Sequence, residues 1–129
     1  MQMVSTVSFL KTVESGTSIS YGRRYVASRK TVIATIPVGY ADGFFRALTG
    51  NGEVLIRGKR YPVVGTICMD AIMADLGPAS EVALGDQVTV FGHDGAESIT
   101  AWDIAATIGT IPYEVTCLVS PRVPRVFVK

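Results

Sequence analysis

Histidine is nearly missing from this 129-residue chain, which has His93 alone, one tryptophan and two cysteines. Cys68 and Cys117 lie far apart in apolar surroundings and form no Cys-x-x-Cys pair. That spacing gives no support to a zinc centre or a dithiol redox motif, and the plain reading is two buried, reduced thiols. His93, in the polar stretch His93-Asp94-Gly95-Ala96, reads as a solvated turn residue without a partner. An excess of either charge is also lacking, since 12 basic against 11 acidic residues leave +1. No broad field exists to attract nucleic acid or an anionic membrane, and Arg23-Arg24 and Arg29-Lys30 read as a solvated face. No apolar run approaches the ~20 residues of a membrane span. The start, Met1 to Val7, lacks the charged, apolar and small-residue order of a signal peptide. These absences predict a cytoplasmic protein with no metal, nucleic-acid or membrane partner.

What is present is apolar and turn-rich: 48% hydrophobic residues, 13 glycines and 6 prolines. A chain of this length is one domain and can bury about two thirds of its unfolded surface. Its organising stretch is Ile36-Pro37-Val38-Gly39-Tyr40-Ala41-Asp42-Gly43. The apolar run Val32 to Ile36 reads as a buried strand, and the Gly and Asp-Gly positions as a tight reversal. The arrangement delivers an aromatic hydroxyl to a loop whose neighbours have little bulk, as a pocket wall would require.

Along the chain, Val4 to Val13 reads as one strand and Thr17 to Gly22 as a second, followed by an exposed basic connection over 23–30. Phe44 to Gly52 suggests a short helical turn and a Gly-rich loop. Glu53–Ile56 and Arg60–Val64 form a hairpin around Arg57-Gly58-Lys59, with Pro62 marking an edge or bulge position because proline cannot donate to a ladder. Ala71–Leu76 and Gln87–Phe91 are further strands. Thr100 as cap, Asp103 in the first turn and Gly109 at the end predict a helix, on which Trp102 packs against the sheet. A second short helix begins near Pro112 and stops before Pro121, and Val123–Val128 reads as a last strand. The expected fold is mainly β, a Greek-key-like barrel or sandwich with one or two short helices near the C-terminus.

Five ordered motifs resemble the C-terminal domain of alanine racemase: Ser18-Ile19-Ser20-Tyr21-Gly22, the Ile36–Gly43 stretch, Val64-Gly65-Thr66-Ile67-Cys68-Met69-Asp70, Ile111-Pro112-Tyr113-Glu114-Val115, and Arg122-Val123-Pro124-Arg125. The resemblance covers nearly the whole chain. It implies an enzyme that interconverts L- and D-alanine with pyridoxal 5'-phosphate, supplying D-alanine for peptidoglycan. It also implies a two-domain homodimer, in which an N-terminal (β/α)8 barrel carries the cofactor on a lysine and the β domain meets the partner's barrel. Such a barrel takes ~250 residues, so residues 1–129 are expected to be the β domain alone, without its barrel and inactive by itself.

Racemisation needs a base on each face of the substrate, and the cofactor acts as the electron sink. By motif position the resemblance implies that Tyr21 is the base for the L face, opposite the barrel lysine. A free phenol titrates near ~10, so a tyrosine doing this work needs help from its neighbours. Met69 matches the residue whose backbone amide holds the substrate carboxylate, and Asp70 belongs to the same wall or is a turn residue bonding its own backbone. Tyr40 matches the tyrosine at the mouth of the substrate corridor, Arg46 an outer corridor position, and Tyr113 the tyrosine that hydrogen-bonds the cofactor phosphate. The family often has arginine where this chain has Thr66, so the outer corridor's charge does not carry over. Without the family, these tyrosines are ordinary half-buried residues of a β domain and Met69 is core filler. The rival expectations are a stand-alone β-barrel interaction module and a related racemase of serine, lysine or broader specificity.

Overall fold

The computed structural model describes residues 1–128. Ten strands precede two helices: β1 Met3–Thr6, β2 Phe9–Val13, β3 Ser18–Ile19, β4 Tyr25–Val26, β5 Thr31–Ile36, β6 Glu53–Ile56, β7 Lys59–Val64, β8 Ile72–Asp75, β9 Gln87–Asp94, β10 Glu97–Ile99, α1 Ala101–Ile108 and α2 Pro112–Cys117. Single 3-10 turns lie at Tyr21–Arg23 and Arg46–Leu48. The main sheet is antiparallel in the order β1-β9-β6-β7-β8-β5-β2, with β10 added to β9. Its two end strands are consecutive in the chain, joined only by Val7 and Ser8. There the Val7 amide bonds the Asp86 carbonyl and the Ser8 amide bonds the Thr35 carbonyl. The sheet is therefore curled, and one bend in the backbone holds its two edges together.

The predicted strand over 4–13 is thus two strands serving opposite ends of the sheet. Periodicity cannot reveal this, because the alternation barely falters through the bend. The largest core gathers Ile36, Leu55, Ile56, Ile67, Ile72, Val88 and Phe44, together with Val115 and Val119. A second, smaller cluster of Val13, Ile19, Ala27, Ile33 and Val64 lies beneath the β3–β4 ribbon, with Tyr25 and Met73 packed against it. Residues 23–30, read as an exposed connection, hold the second strand of this ribbon and the buried Ala27.

Pro62 lies in β7, an interior strand, yet satisfies the proline rule locally. The next amide, of Val63, bonds Gly52 on the β6 side, so position 62 faces the β8 side, where pairing starts only at Val63. The first helix is as read. Thr100 and Asp103 form a reciprocal capping box, and Gly109 ends the helix at φ 77°. Trp102, however, is exposed, because the buried face of α1 is formed by Ile104 and Ala105. Cys117 is exposed and Cys68 half-buried, since α2 buries Val115 instead. His93 belongs to β9, which runs to Asp94 and pairs with β10. Residues 123–128 form no strand: Arg125 caps the carbonyls of Val119, Ser120 and Val123, and Val126 to Val128 stand exposed. No helix among the described residues is long and apolar enough to cross a membrane.

Candidate active site

Three loops at one end of the curled sheet hold most of the predicted residues. The first leaves β3 and carries Tyr21. Ser20 has φ 64° and ψ −179°, a region nearly restricted to glycine, and Arg23 has φ 47°. Each such residue costs of order 1–3 kcal/mol and persists only where its surroundings hold it. Ser20 Oγ donates to the Thr66 carbonyl at 2.7 Å, and Thr66 Oγ1 donates to the Tyr21 carbonyl at 3.0 Å. Thr66 therefore fastens the turn by both its backbone and its hydroxyl. Gly65 admits the close approach, because a Cβ there would stand 2.7 Å from both the Ile19 carbonyl and the Ser20 Cβ.

The second loop follows β5. Pro37 and Val38 lead into Gly39, whose amide donates to Asp42 Oδ2 at 2.8 Å. The Tyr40 amide then bonds the Cys68 carbonyl at 3.1 Å and the Ala41 amide the Met69 carbonyl at 3.0 Å. These bonds lay the Tyr40 loop against the third loop, Gly65 to Asp70. A Cβ on Gly39 would sit 2.3 Å from both the Cys68 and Met69 carbonyl oxygens, so only glycine permits the contact. Among the described residues the Met69 amide has no hydrogen-bond acceptor. It is a free donor at a corner that is 52% exposed.

Electrostatics binds the loops further. Arg122, beyond α2, places Nε 2.6 Å from Asp42 Oδ1 and reaches Asp70 Oδ1 with Nη2. Burial pushes the Asp42 carboxyl up. The hydrogen bonds from Arg122 and the Gly39 amide outweigh that and leave it below the usual carboxylate range. Arg122 in turn is held well above its ordinary value by Asp42 and then Asp70. Arg46 Nη2 lies 3.5 Å from Tyr21 Oη, a long contact, and its guanidinium is pushed up chiefly by that hydrogen bond. The turn at Arg46–Leu48 thus brings a cation to the Tyr21 oxygen.

The structure brings Tyr21, Arg46, Thr66, Tyr40, Met69 and Asp70 onto one continuous set of loops. Tyr21 is 53% exposed and Tyr40 41% exposed, so neither ring is entombed. Asp70 does not bond its own backbone, and its carboxylate is taken by Arg122. Tyr113 stands apart in the first turn of α2, 73% exposed, and its hydroxyl makes no hydrogen bond among the described residues. A free phenol O–H fits a phosphate oxygen as one donor. It is a single contact, so further donors have to come from outside this chain. The arrangement offers a phenol beside a guanidinium, an unused backbone amide and a second exposed phenol, but no cluster of three metal-ligating side chains among the described residues. Asp42 and Arg122 were visible only as members of motifs. Their pairing, 80 residues apart, has no local signature.

A family model described as alanine racemase, C-terminal domain, matches residues 1–127. The chain belongs to this family. Alanine racemase of Geobacter sulfurreducens is 53% identical over 128 residues, and that of Cutibacterium acnes 52%. The alignments cover 98% and 99% of this chain but only 34% of either relative. The chain therefore spans about a third of the length of the curated alanine racemases it matches. Among solved structures, alanine racemase from Bacillus anthracis with bound L-Ala-P superposes with a TM-score of 0.94 at 44% identity, over 99% of this chain and 32% of the other. The Clostridium difficile alanine racemase complexed with cycloserine does so with a TM-score of 0.88 at 45% identity, over 95% and 32%. The mainly β architecture with two short C-terminal helices is thus that of the family's C-terminal domain.

Proposed function

We propose that this chain is the β domain of a pyridoxal-phosphate-dependent alanine racemase and supplies the proton-transfer group for the L face of the substrate. The observation that carries the reading is Tyr21: a half-exposed phenol on a strained turn, clamped through Thr66 to the Met69 corner and approached by Arg46. When bound, the cofactor supplies an electron sink that makes the substrate's α-hydrogen removable. Tyr21 Oη takes that proton from the L enantiomer or returns it, with the Arg46 guanidinium beside the oxygen. The Met69 amide, free of any internal acceptor, donates to the substrate carboxylate and fixes the α-carbon's orientation. Tyr40 narrows the approach in favour of a small side chain, with Asp70 in the same wall, and Tyr113 donates to the cofactor phosphate. The N-terminal cofactor barrel, the second subunit, the cytoplasmic location and the supply of D-alanine for peptidoglycan belong to the same reading. The length of the relatives supports a further part in the whole protein, since they are about three times as long as this chain.

The test uses the full-length protein. Positioned acid–base groups contribute ~10²–10⁴-fold, and Tyr21→Phe should lower turnover by about that much. L- and D-alanine have equal free energy, so kcat/KM must fall equally from either side, and side-specific information lies in exchange of the α-hydrogen with heavy water. Tyr21→Phe should still wash deuterium into D-alanine while losing exchange at L-alanine. Unchanged exchange at L-alanine would remove Tyr21 from the mechanism. The purified chain of 129 residues should racemise nothing, and measurable racemase activity from it would contradict the division of labour.

A further inference from the structure

The Tyr21 turn rests on very little of its own. The β3–β4 ribbon has two residue pairs, Ser18 with Val26 and Ile19 with Tyr25, continued by the Ala27 amide to the Thr17 carbonyl at 2.8 Å, and a ribbon that short is marginal unless something else holds it. Between these strands lie Ser20 and Arg23, both in the left-handed half of backbone space. One fastening is Thr66, described above. The other lies across the ribbon and involves none of the predicted site residues.

Tyr25 stands opposite Ile19 in the ribbon, two positions before Tyr21 in the chain. Its hydroxyl donates to Asp75 Oδ2 at 3.0 Å. Asp75 ends β8, where it pairs with Ile33 of β5, so it is fixed to the middle of the sheet. Its other oxygen accepts from Thr31 Oγ1 and, at 2.9 Å, from the Gly77 amide. Burial pushes the Asp75 carboxyl up, but Thr31, Gly77 and Tyr25 together draw it below the usual carboxylate range. The same bond, with burial the larger cause, raises the Tyr25 phenol. Three donors fill three of the roughly four acceptor sites of this carboxylate, and one of those donors belongs to the strand that closes the Tyr21 turn. A plain packing residue at 25 would need no oxygen there.

We propose that Tyr25 and Asp75 are positioning residues for the L-face proton transfer, holding the β3–β4 ribbon to β8 so that Tyr21 keeps its aim. The inference rests on the reading of Tyr21 given above. Proton transfer requires heavy atoms within ~2.6–3.2 Å, and a misplacement of ~1 Å can cost ~10²-fold. A ribbon this short, although it rests on the apolar cluster of Ile19 and Ala27, can drift by that much without the domain unfolding once one of its polar fastenings is released.

The experiment is Tyr25→Phe in the full-length protein, which keeps the ring over Ile19 and removes only the oxygen. Exchange of the α-hydrogen with heavy water is measured separately for L- and D-alanine, with Tyr21→Phe alongside. The expected result is an L-side exchange rate lowered about tenfold or more relative to the D side, with KM little changed. A merely structural role would lower both sides together, and that result overturns the proposal, as does an unchanged ratio while Tyr21→Phe loses L-side exchange. If Tyr21→Phe itself keeps L-side exchange, the assignment of Tyr21 fails instead, and the anchor with it. Asp75→Asn, which leaves a neutral acceptor, should shift the ratio the same way by less, and decides the matter if Tyr25→Phe does not fold.

Discussion

Gly39→Ala probes the seam between the Tyr40 loop and the Met69 corner, and its cost can be worked from the contact distances. The new Cβ would lie 2.3 Å from two carbonyl oxygens and 2.5 Å from the Met69 carbonyl carbon. All three are backbone atoms, so no side chain can swing aside. Reaching even 3.0 Å, below which real Cβ contacts essentially do not occur, requires the loops to part by about 0.7 Å. That movement stretches the Tyr40–Cys68 and Ala41–Met69 bonds to roughly 3.7–3.8 Å, beyond useful hydrogen-bond range. Overpacking of this kind costs about 1–3 kcal/mol and each lost bond about 1 kcal/mol, for a total of about 3–5 kcal/mol. Gly16→Ala is the comparison: its φ of 88° strains any other residue, but nothing lies within 4 Å of its Cβ position. Its cost is roughly 1–2 kcal/mol. Urea unfolding with an m-value of ~1.5 kcal/mol/M should then show the Gly39→Ala midpoint at least ~0.7 M below that of Gly16→Ala. Equal midpoints would refute the steric account of this seam.

Arg122→Gln should raise the titration midpoint of the Asp42 carboxyl, because its strongest donor is lost while its burial stays. Carbon-13 NMR of Asp42 reads this directly, and an unmoved midpoint would show that the pairing is not present in solution. Asp42, Asp75 and Asp103 all have folded-state values drawn below the ordinary carboxylate, which titrates near ~4. The unfolded chain therefore takes up protons first, so stability is fully present above about pH 5 and is lost as pH falls through the folded-state values. The urea midpoint should be flat from pH 7 to 5 and fall steeply toward pH 3. A midpoint independent of pH across that span would contradict the assigned shifts.

Much of the architecture was legible because it is written locally. Thr100, Asp103 and Gly109 announce α1 through capping chemistry, Pro112 announces α2, and Arg57-Gly58-Lys59 announces the β6–β7 hairpin. Most of the failures share one cause: they depend on partners distant in the chain. The 4–13 run is split by where β9 and β5 lie, and residues 23–30 become half a ribbon because Asp75 waits 50 residues away for Tyr25. His93 is the exception, drawn into a strand by nearby β10, where it pairs with Ser98. Apolar residues 126–128 look like a strand by composition but find no ladder to join. In the site the motifs supplied the chemical groups, Tyr21, Tyr40 and Met69. They could not supply the fastenings, Ser20 to Thr66 and Arg122 to Asp42 and Asp70, since a serine or an arginine carries no sign of what it will bond.

The shared bend at Val7–Ser8 has a consequence for how the protein is made. Met3–Thr6 leaves the ribosome well ahead of its ladder partner among the described residues, the strand Gln87–Asp94. At ~5–20 residues per second, this strand waits about 4–17 s for its mate. Until then Met3 and Val7, both buried in the finished fold, are open to chaperones or to the wrong neighbour. Closure of the curled sheet must therefore come late, after most of the chain has emerged.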